Sequence, residues 1–247
     1  MRVGILGAMG KMGRECIRVF EREGAKIAFL VDAVGTDGVY KSFGEVPKCL
    51  ACDVVVDFSS PGALSELLEF CKMRKCAAVL ATTGFSVGQM RLLRSAAGEI
   101  PLFVSRNMSI GVNILARLCG MLAKSLQGCE CEIVEAHHSA KKDAPSGTAL
   151  YLADILSEAM GGAKYVYDRH LNEQRKSGEI GIHSLRGGSV VGRHDVYFFM
   201  AGETLKLCHS AENRELFAVG ALNAAKFIIQ KEKGFFTMDD LVNEMLK

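Results

Sequence analysis

The segment that most restricts the fold comes first. Arg2-Val-Gly-Ile-Leu6 is a short apolar run, Gly7-Ala-Met-Gly-Lys-Met-Gly13 follows it, and an amphipathic stretch continues to about Gly24. A buried strand that enters a glycine turn and opens a helix is the first half of a dinucleotide-binding unit. Gly7 permits the tight turn, Gly10 lets the backbone approach a pyrophosphate, and Gly13 allows the helix to pack closely. The spacing is G-x-x-G-x-x-G and departs from the usual G-x-G-x-x-G, so the context carries the reading. A second strand, residues 27–31, ends in Asp32, where a ribose-binding carboxylate is expected.

Further strand–helix units follow. Residues 53–58 are a β-branched run, and Ser59-Ser60-Pro61 opens a helix with proline at its first position. Residues 77–81 lead into Thr82-Thr83-Gly84-Phe85, after which Ser86 and Gln89 have capping-box spacing. Residues 102–105 form another short strand before Arg106-Asn107-Met108. Such alternation predicts a parallel sheet with right-handed crossovers and a ligand crevice at the carboxyl ends of its strands. That crevice gathers Gly7, Ala8, Met9, Gly10, Lys11, Met12 and Gly13 with Asp32, Phe58 and Ser59. Ala81, Thr82, Thr83, Ser105, Arg106 and Met108 join them around one dinucleotide.

After Ser109 the pattern changes to an α+β unit with an open sheet. A helix to about Leu126 precedes a strand over 131–136, and the next helix runs to about Met160 and stops at Gly161-Gly162. Strands are expected over 181–186, 189–200 and 203–210, with a long polar loop over 169–178. A helix over 214–230 with an apolar face of Leu216, Val219, Leu222 and Phe227 comes next, and Thr237 and Asp240 cap a last one. Between the strand and helix of this unit, a loop containing proline and glycine carries His137, His138, Lys141 and Lys142. Ser146 is an N-cap, and the backbone N–H groups of Gly147, Thr148 and Ala149 point out of the new helix. A helix terminus with a lysine and two imidazoles nearby suits a carboxylate or phosphate.

A hydrophobic share of 49% with 23% charged residues is ordinary globular composition. The net charge of +2 argues against nucleic acid or a membrane surface as the main partner, so local charge must attract any anionic substrate. The N-terminal segment is expected to be a strand rather than a signal peptide, and no stretch has the apolar length of a membrane span. Nine cysteines scattered through apolar segments imply a reducing cytosol rather than a disulfide framework. Cys49 with Cys52, and Cys129 with Cys131, have no second pair at metal-finger spacing, so no metal is expected.

The run Glu135-Ala-His-His-Ser-Ala-Lys-Lys-Asp-Ala-Pro-Ser-Gly-Thr-Ala149 resembles the central motif of the dihydrodipicolinate reductase family, E-x-H-H-x-x-K-x-D-A-P-S-G-T-A, at every fixed position. The glycine turn with Met12, Thr-Thr-Gly-Phe at 82–85 and Asn-x-Ser-x-Gly-x-Asn at 107–113 also resemble family motifs, whereas residues 33–52 match little. The resemblance implies a Rossmann-like dinucleotide domain (1–108 and 215–247) with an inserted substrate-binding and oligomerisation domain (109–214). It implies NAD(P)H-dependent reduction of 4-hydroxy-tetrahydrodipicolinate in lysine and diaminopimelate biosynthesis, by a cytoplasmic homotetramer.

On that reading Lys141 binds a substrate carboxylate and is a candidate proton donor, and His137 is the other acid candidate. His138 holds the second carboxylate region, while Ser146, Gly147 and Thr148 cradle a carboxylate. Arg214 is placed at the cofactor or the domain hinge, and Lys142, His183 and Glu132 are expected to be surface or packing residues. Asp32 with no arginine beside it predicts NADH as the preferred reductant over NADPH, with Lys41 the nearest following cation. The competing readings are another NAD(P)-dependent dehydrogenase acting on a small amino or hydroxy acid, a cofactor-sensing binding protein, and a metal hydrolase built on His137 and His138.

Overall fold

The computed structural model describes residues 1–170 and 173–245. In chain order the first elements are β1 (Arg2–Leu6), α1 (Lys11–Arg22), β2 (Lys26–Val31), β3 (Val54–Asp57), α2 (Leu64–Arg74), β4 (Ala77–Leu80), α3 (Val87–Ala96) and β5 (Pro101–Val104). Then come α4 (Ile110–Ser125), β6 (Glu130–His137), α5 (Gly147–Ala159), β7 (Lys164–Tyr167), β8 (Glu179–Arg186), β9 (Gly192–Met200) and β10 (Glu203–Ala211). The last are α6 (Glu215–Ile228), β11 (Gly234–Phe236) and α7 (Met238–Met245). The contacts divide the chain into two compact units, Met1–Ile110 with Arg214–Lys247, and Gly111–Asn213.

The first unit is a parallel sheet in the order β11-β5-β4-β3-β1-β2. Val54, Val55 and Val56 are all fully buried, because helices cover both faces and a parallel strand then needs apolar side chains on each. On one face Cys16, Val19 and Phe20 of α1 pack with Ala218, Ala221 and Ala225 of α6. On the other, Leu67 and Phe70 of α2 and Leu93 of α3 meet Leu80 and Leu102. Small residues let α6 come close: a Cβ on Gly220 would lie 1.7 Å from the Met108 carbonyl oxygen. The helix therefore buries an alanine-rich face, with Leu222 and Phe227 buried but Leu216 and Val219 only half-buried.

Helix starts follow the local chemistry. Ser86 and Gln89 form both halves of a capping box. Ser60 makes no side-chain cap; Pro61 instead opens a short 3₁₀ turn, Pro61–Ala63, before α2. At α7 the Asp240 carboxylate accepts from the Thr237 backbone and hydroxyl.

The second unit is a mixed sheet in the order β10-β9-β6-β8-β7, antiparallel across β10, β9 and β6 and parallel across β6, β8 and β7. Ile133, Ile180, Val196 and Phe198 point into a core shared with Leu115 and Cys119 of α4 and Leu152 and Leu156 of α5. Residues 196–200 are thus less exposed than an unbroken apolar run suggests, because strand alternation sends Val196 and Phe198 inward at 0% exposure. Tyr197 and Phe199 lie on the opposite face, their rings stacked at 5.8 Å, with Phe199 37% exposed.

Glu132 also lies on that opposite face and anchors an ion network. It accepts from Arg169, Arg175 and His183, so it and His183 fix the chain after β7 rather than standing alone at the surface. Residues 171–172 of the loop expected there lie outside the described residues. Among the described residues no helix is long and apolar enough to cross a membrane.

Candidate active site

The glycine turn in the first unit is built as its residues dictate. Gly7 has φ +80°, a left-handed conformation, and a Cβ there would lie 2.7 Å from the Phe58 carbonyl oxygen. A Cβ on Gly13 would lie 2.1 Å from the Gly7 carbonyl oxygen, so α1 and the turn touch backbone to backbone. Gly10 is the N-cap of α1 with no side-chain cap, and no acid occupies the first helical turn. The amide groups at this helix start are thus left for an anion, as a pyrophosphate requires. The Met9 N–H donates instead to Asp32 Oδ2 at 2.9 Å, and the Val34 N–H to Asp32 Oδ1 at 3.0 Å. These residues fit a dinucleotide.

The cofactor candidates, in the glycine turn after β1 and at the carboxyl ends of β3, β4 and β5, lie on two levels. Gly10, Lys11, Ser59, Thr83 and Arg106 are exposed, and Met9, Met12, Phe58 and Ala81 are half-buried. Ala8, Thr82, Ser105 and Met108 are buried and shape the loops from beneath. The Ser105 hydroxyl donates to the Asn107 carbonyl at 2.8 Å. Asp57, which sequence reasoning passed over, closes β3: its buried carboxylate accepts from the Ser59 amide at 2.8 Å and hydroxyl at 2.6 Å. Burial pushes the Asp57 carboxyl pKa up, against those two hydrogen bonds. Arg214 is exposed at the N-cap of α6 and groups with this unit.

In the second unit β6 extends through His137, which places that imidazole on the end of a strand rather than in the loop after it. Glu135 and His137, two apart, face the same side of β6, and both are buried. The Glu135 carboxylate pairs with His137 Nδ1 at 2.5 Å and accepts from Arg186 Nη1 at 3.0 Å. Its other oxygen accepts from Arg186 Nη2 at 2.8 Å and from the Ser146 amide at 3.1 Å. Burial raises the Glu135 pKa, but the bonds from His137, Arg186 and Ser184 outweigh it and hold the carboxyl down at about 2. Being ionised, Glu135 only accepts, so His137 carries its hydrogen on Nδ1.

The loop then turns back on itself, with the Lys141 amide donating to the His138 carbonyl. Lys141 Nζ lies 2.8 Å from Asp143 Oδ1, a pairing that lowers the Asp143 pKa; Lys142 is exposed. Ser146 caps α5 by accepting from the Ala149 amide at 3.2 Å, and its hydroxyl meets His194 Nε2 at 3.1 Å. Ser146 is buried, whereas Gly147 is exposed and a Cβ on it would meet nothing within 4 Å. The open part of the helix start is therefore Gly147, with Thr148 half-buried beside it. His194 lies 5.2 Å from His137, ring to ring, and burial, aided by His137, pushes its pKa down to about 3.

The structure thus brings His137, Ser146 and the α5 terminus together around Glu135, and places Lys141 beside Asp143. Arg186 and His194 were not legible, since each reaches the motif from a distant strand. The i, i+2 spacing of Glu135 and His137 is the signal that exposes their pairing. Among the described residues no group of three His, Cys, Asp or Glu is placed to hold a metal ion.

A dinucleotide turn in one unit and a cationic anion site in the other are the equipment of a nicotinamide-dependent oxidoreductase. Family models described as dihydrodipicolinate reductase, N-terminus and C-terminus, match residues 1–108 and 111–242. A 4-hydroxy-tetrahydrodipicolinate reductase of Caldanaerobacter subterraneus subsp. tengcongensis is 47% identical over 208 residues, covering 83% of this chain and 82% of that protein. One of Clostridium tetani is 40% identical over 250 residues, covering 98% and 97%. A solved dipicolinate-bound dihydrodipicolinate reductase from Paenisporosarcina sp. TG-14 shares the fold, with a TM-score of 0.81, 24% identity and coverage of 96% and 97%. The chain belongs to the dihydrodipicolinate reductase family and is an NAD(P)H-dependent oxidoreductase.

Proposed function

We propose that this chain reduces 4-hydroxy-tetrahydrodipicolinate to tetrahydrodipicolinate in lysine and diaminopimelate biosynthesis. The observation that carries the substrate assignment is the junction of β6 and α5, where Glu135 holds both His137 and the Ser146 amide that opens α5, and Lys141 pairs with Asp143 in the loop between them, a set of groups suited to a carboxylate. Bound NADH or NADPH supplies a hydride. After loss of water from the substrate, the unsaturated ring takes that hydride at C4 and a proton at C3, so one reductant and one proton are consumed per turnover.

The chain's own work is binding and proton delivery. Lys141 holds one carboxylate, Ser146, Gly147 and Thr148 form the cradle, and His138 serves the second carboxylate region. His137 or Lys141 delivers the proton. The cofactor is assigned to residues 1–108 and 215–247, with Asp32 on the ribose and Arg214 at the cofactor or the hinge; the substrate is assigned to residues 109–214. Asp32 favours NADH over NADPH by repelling a 2′-phosphate. The exposed Phe199 beside Tyr197 supports a homotetramer joined through the second sheet. Nine cysteines without a disulfide support a cytoplasmic location.

The test is loss of NADH absorbance when the substrate is generated enzymatically. Activity on another imine or keto acid, with none on the dipicolinate precursor, would overturn the assignment.

A further inference from the structure

Glu135 is fully buried, yet it carries a negative charge and binds three different parts of the second unit. It holds His137 of its own strand, the Arg186 guanidinium at the end of β8, and the Ser146 amide at the start of α5. Arg186 extends the grip, since its Nη2 also donates to the Asp143 carbonyl at 2.7 Å, beside the carboxylate that pairs with Lys141. A buried carboxylate with a two-pronged guanidinium partner is rigid, and breaking such a set exposes an unpaired charge to the interior.

We propose that Glu135, backed by Arg186, is a positioning residue that fixes the His137 imidazole and the anion-binding start of α5 relative to each other. Its consequence is specific. With Nδ1–H held by Glu135, the neutral ring keeps Nε2 as its one free nitrogen. That atom faces Gly192, where a Cβ would lie only 3.1 Å away, so any side chain at this position would crowd Nε2. Proton chemistry at His137 then uses Nε2 alone, and the same carboxylate that orients the ring sets the cradle that receives the substrate. The kinetic part of this inference rests on the proposed role of His137, whereas the ring tautomer does not.

Two readouts test it. In protein labelled with nitrogen-15 histidine, at a pH where the ring is neutral, His137 is identified by the signal that His137→Gln removes. The expected spectrum is a single tautomer with hydrogen on Nδ1, which becomes mixed or inverted in Glu135→Gln. A wild-type ring protonated on Nε2, or an unchanged tautomer in Glu135→Gln, overturns the proposal. Kinetically, Glu135→Gln is expected to lower kcat/KM by about tenfold or more in the wild type, and by several-fold less in a His137→Gln background, where only the cradle's share of the loss remains. Equal losses in the two backgrounds mean that Glu135 does not act through His137. Arg186→Lys keeps the charge but loses the two-pronged bond, and is read in the same way where Glu135→Gln does not fold. If wild-type protein turns over no dipicolinate precursor, the reductase assignment fails while the tautomer result still decides this proposal.

Discussion

The Asp32 carboxylate accepts the Met9 backbone N–H at 2.9 Å, which locks the acid at the end of β2 to the glycine turn after β1. Other amides of the turn are committed inside the fold as well, since Gly7 and Ala8 donate to the Val31 carbonyl and Gly10 to the Gly7 carbonyl. With the Val34 N–H on its other oxygen, the carboxylate is held from two sides and its charge is fixed in place.

Cofactor choice follows from that fixed charge, modified by the loop behind it. Tyr40 pairs back onto Val31 and Asp32, and the Lys41 stem lies across Gly35, where a Cβ would come within 2.4 Å of Lys41 Cγ. The loop thus folds back and brings a cation nearer to Asp32 than the sequence distance implied. We expect NADH to be preferred by about 1–3 kcal/mol in kcat/KM, and Lys41→Ala to widen the gap. A clear NADPH preference at matched ionic strength would show that Asp32 does not face the ribose, or that Lys41 does.

Gly13→Ala should be severe. Its Cβ would lie 2.1 Å from the Gly7 carbonyl oxygen and 2.7 Å from Ala8 Cα, and both are backbone atoms that cannot rotate away. Overpacking of this kind costs about 1–3 kcal/mol or more, and α1 must shift from the turn. Calorimetric titration with NADH is expected to show lost binding together with a lowered Tm; binding at wild-type affinity refutes the packing role.

How much of this was readable beforehand depends on the range of the interaction. The glycine turn, the strand–helix alternation and the β6–α5 motif are local, and their elements appear within a residue or two. The strands β7 and β11 escaped notice because Lys164-Tyr-Val-Tyr167 and Gly234-Phe-Phe236 are too short for a period to emerge. His137 was expected in the loop because the strand's pairing with Arg186 on β8 is invisible from within the motif. Glu135 and Arg186 are likewise joined only by the fold, since sheet register rather than spacing brings them together.

Lys141→Ala removes the cation of the proposed substrate site and a candidate proton donor together. KM should rise and kcat fall by roughly 10²-fold or more. The pairing with Asp143 adds a control, because Asp143→Asn frees Lys141 without removing it. Steady-state constants near wild type in Lys141→Ala would take the lysine out of the mechanism.

Acid sensitivity has two limbs. Burial holds the His194 pKa at about 3 instead of 6.5, with His137, His209 and Lys141 lowering it further and Glu135 opposing them. Between those two values the unfolded chain takes up a proton that the folded chain refuses. Stability from this group is therefore complete above 6.5 and lost as pH falls, by up to about 1.4 kcal/mol per pH unit. Glu135 acts lower, since a pKa depressed from 4.5 to about 2 gives stability present above 4.5 and lost as pH falls toward 2. His194→Gln should flatten the fall of Tm between 6.5 and about 3, while the part of the fall below 4.5 that belongs to Glu135 remains. Superimposable profiles for variant and wild type would assign the upper limb elsewhere.

For assembly, Phe199 is the residue to change. It is 37% exposed, stacks on Tyr197, and lies on the face away from the helices of its own unit. Phe199→Glu places charge in the proposed contact between subunits while sparing the inward Phe198. Light scattering is expected to show a tetramer for the wild type and smaller species for the variant; a monomeric wild type at micromolar concentration refutes the assembly.

The sheet order β11-β5-β4-β3-β1-β2 makes the first unit a product of both halves of synthesis. Its edge strand β11 and its covering helix α6 leave the ribosome only after the whole of Gly111–Asn213 has been made. The nascent chain therefore has every strand from β1 to β5 while one face, with Val3, Val54 and Val79, still lacks the alanines of α6. The contiguous second unit can close its core first. Translation paused before α6 leaves that face covered by α1 alone, with the apolar strip that α6 buries still open.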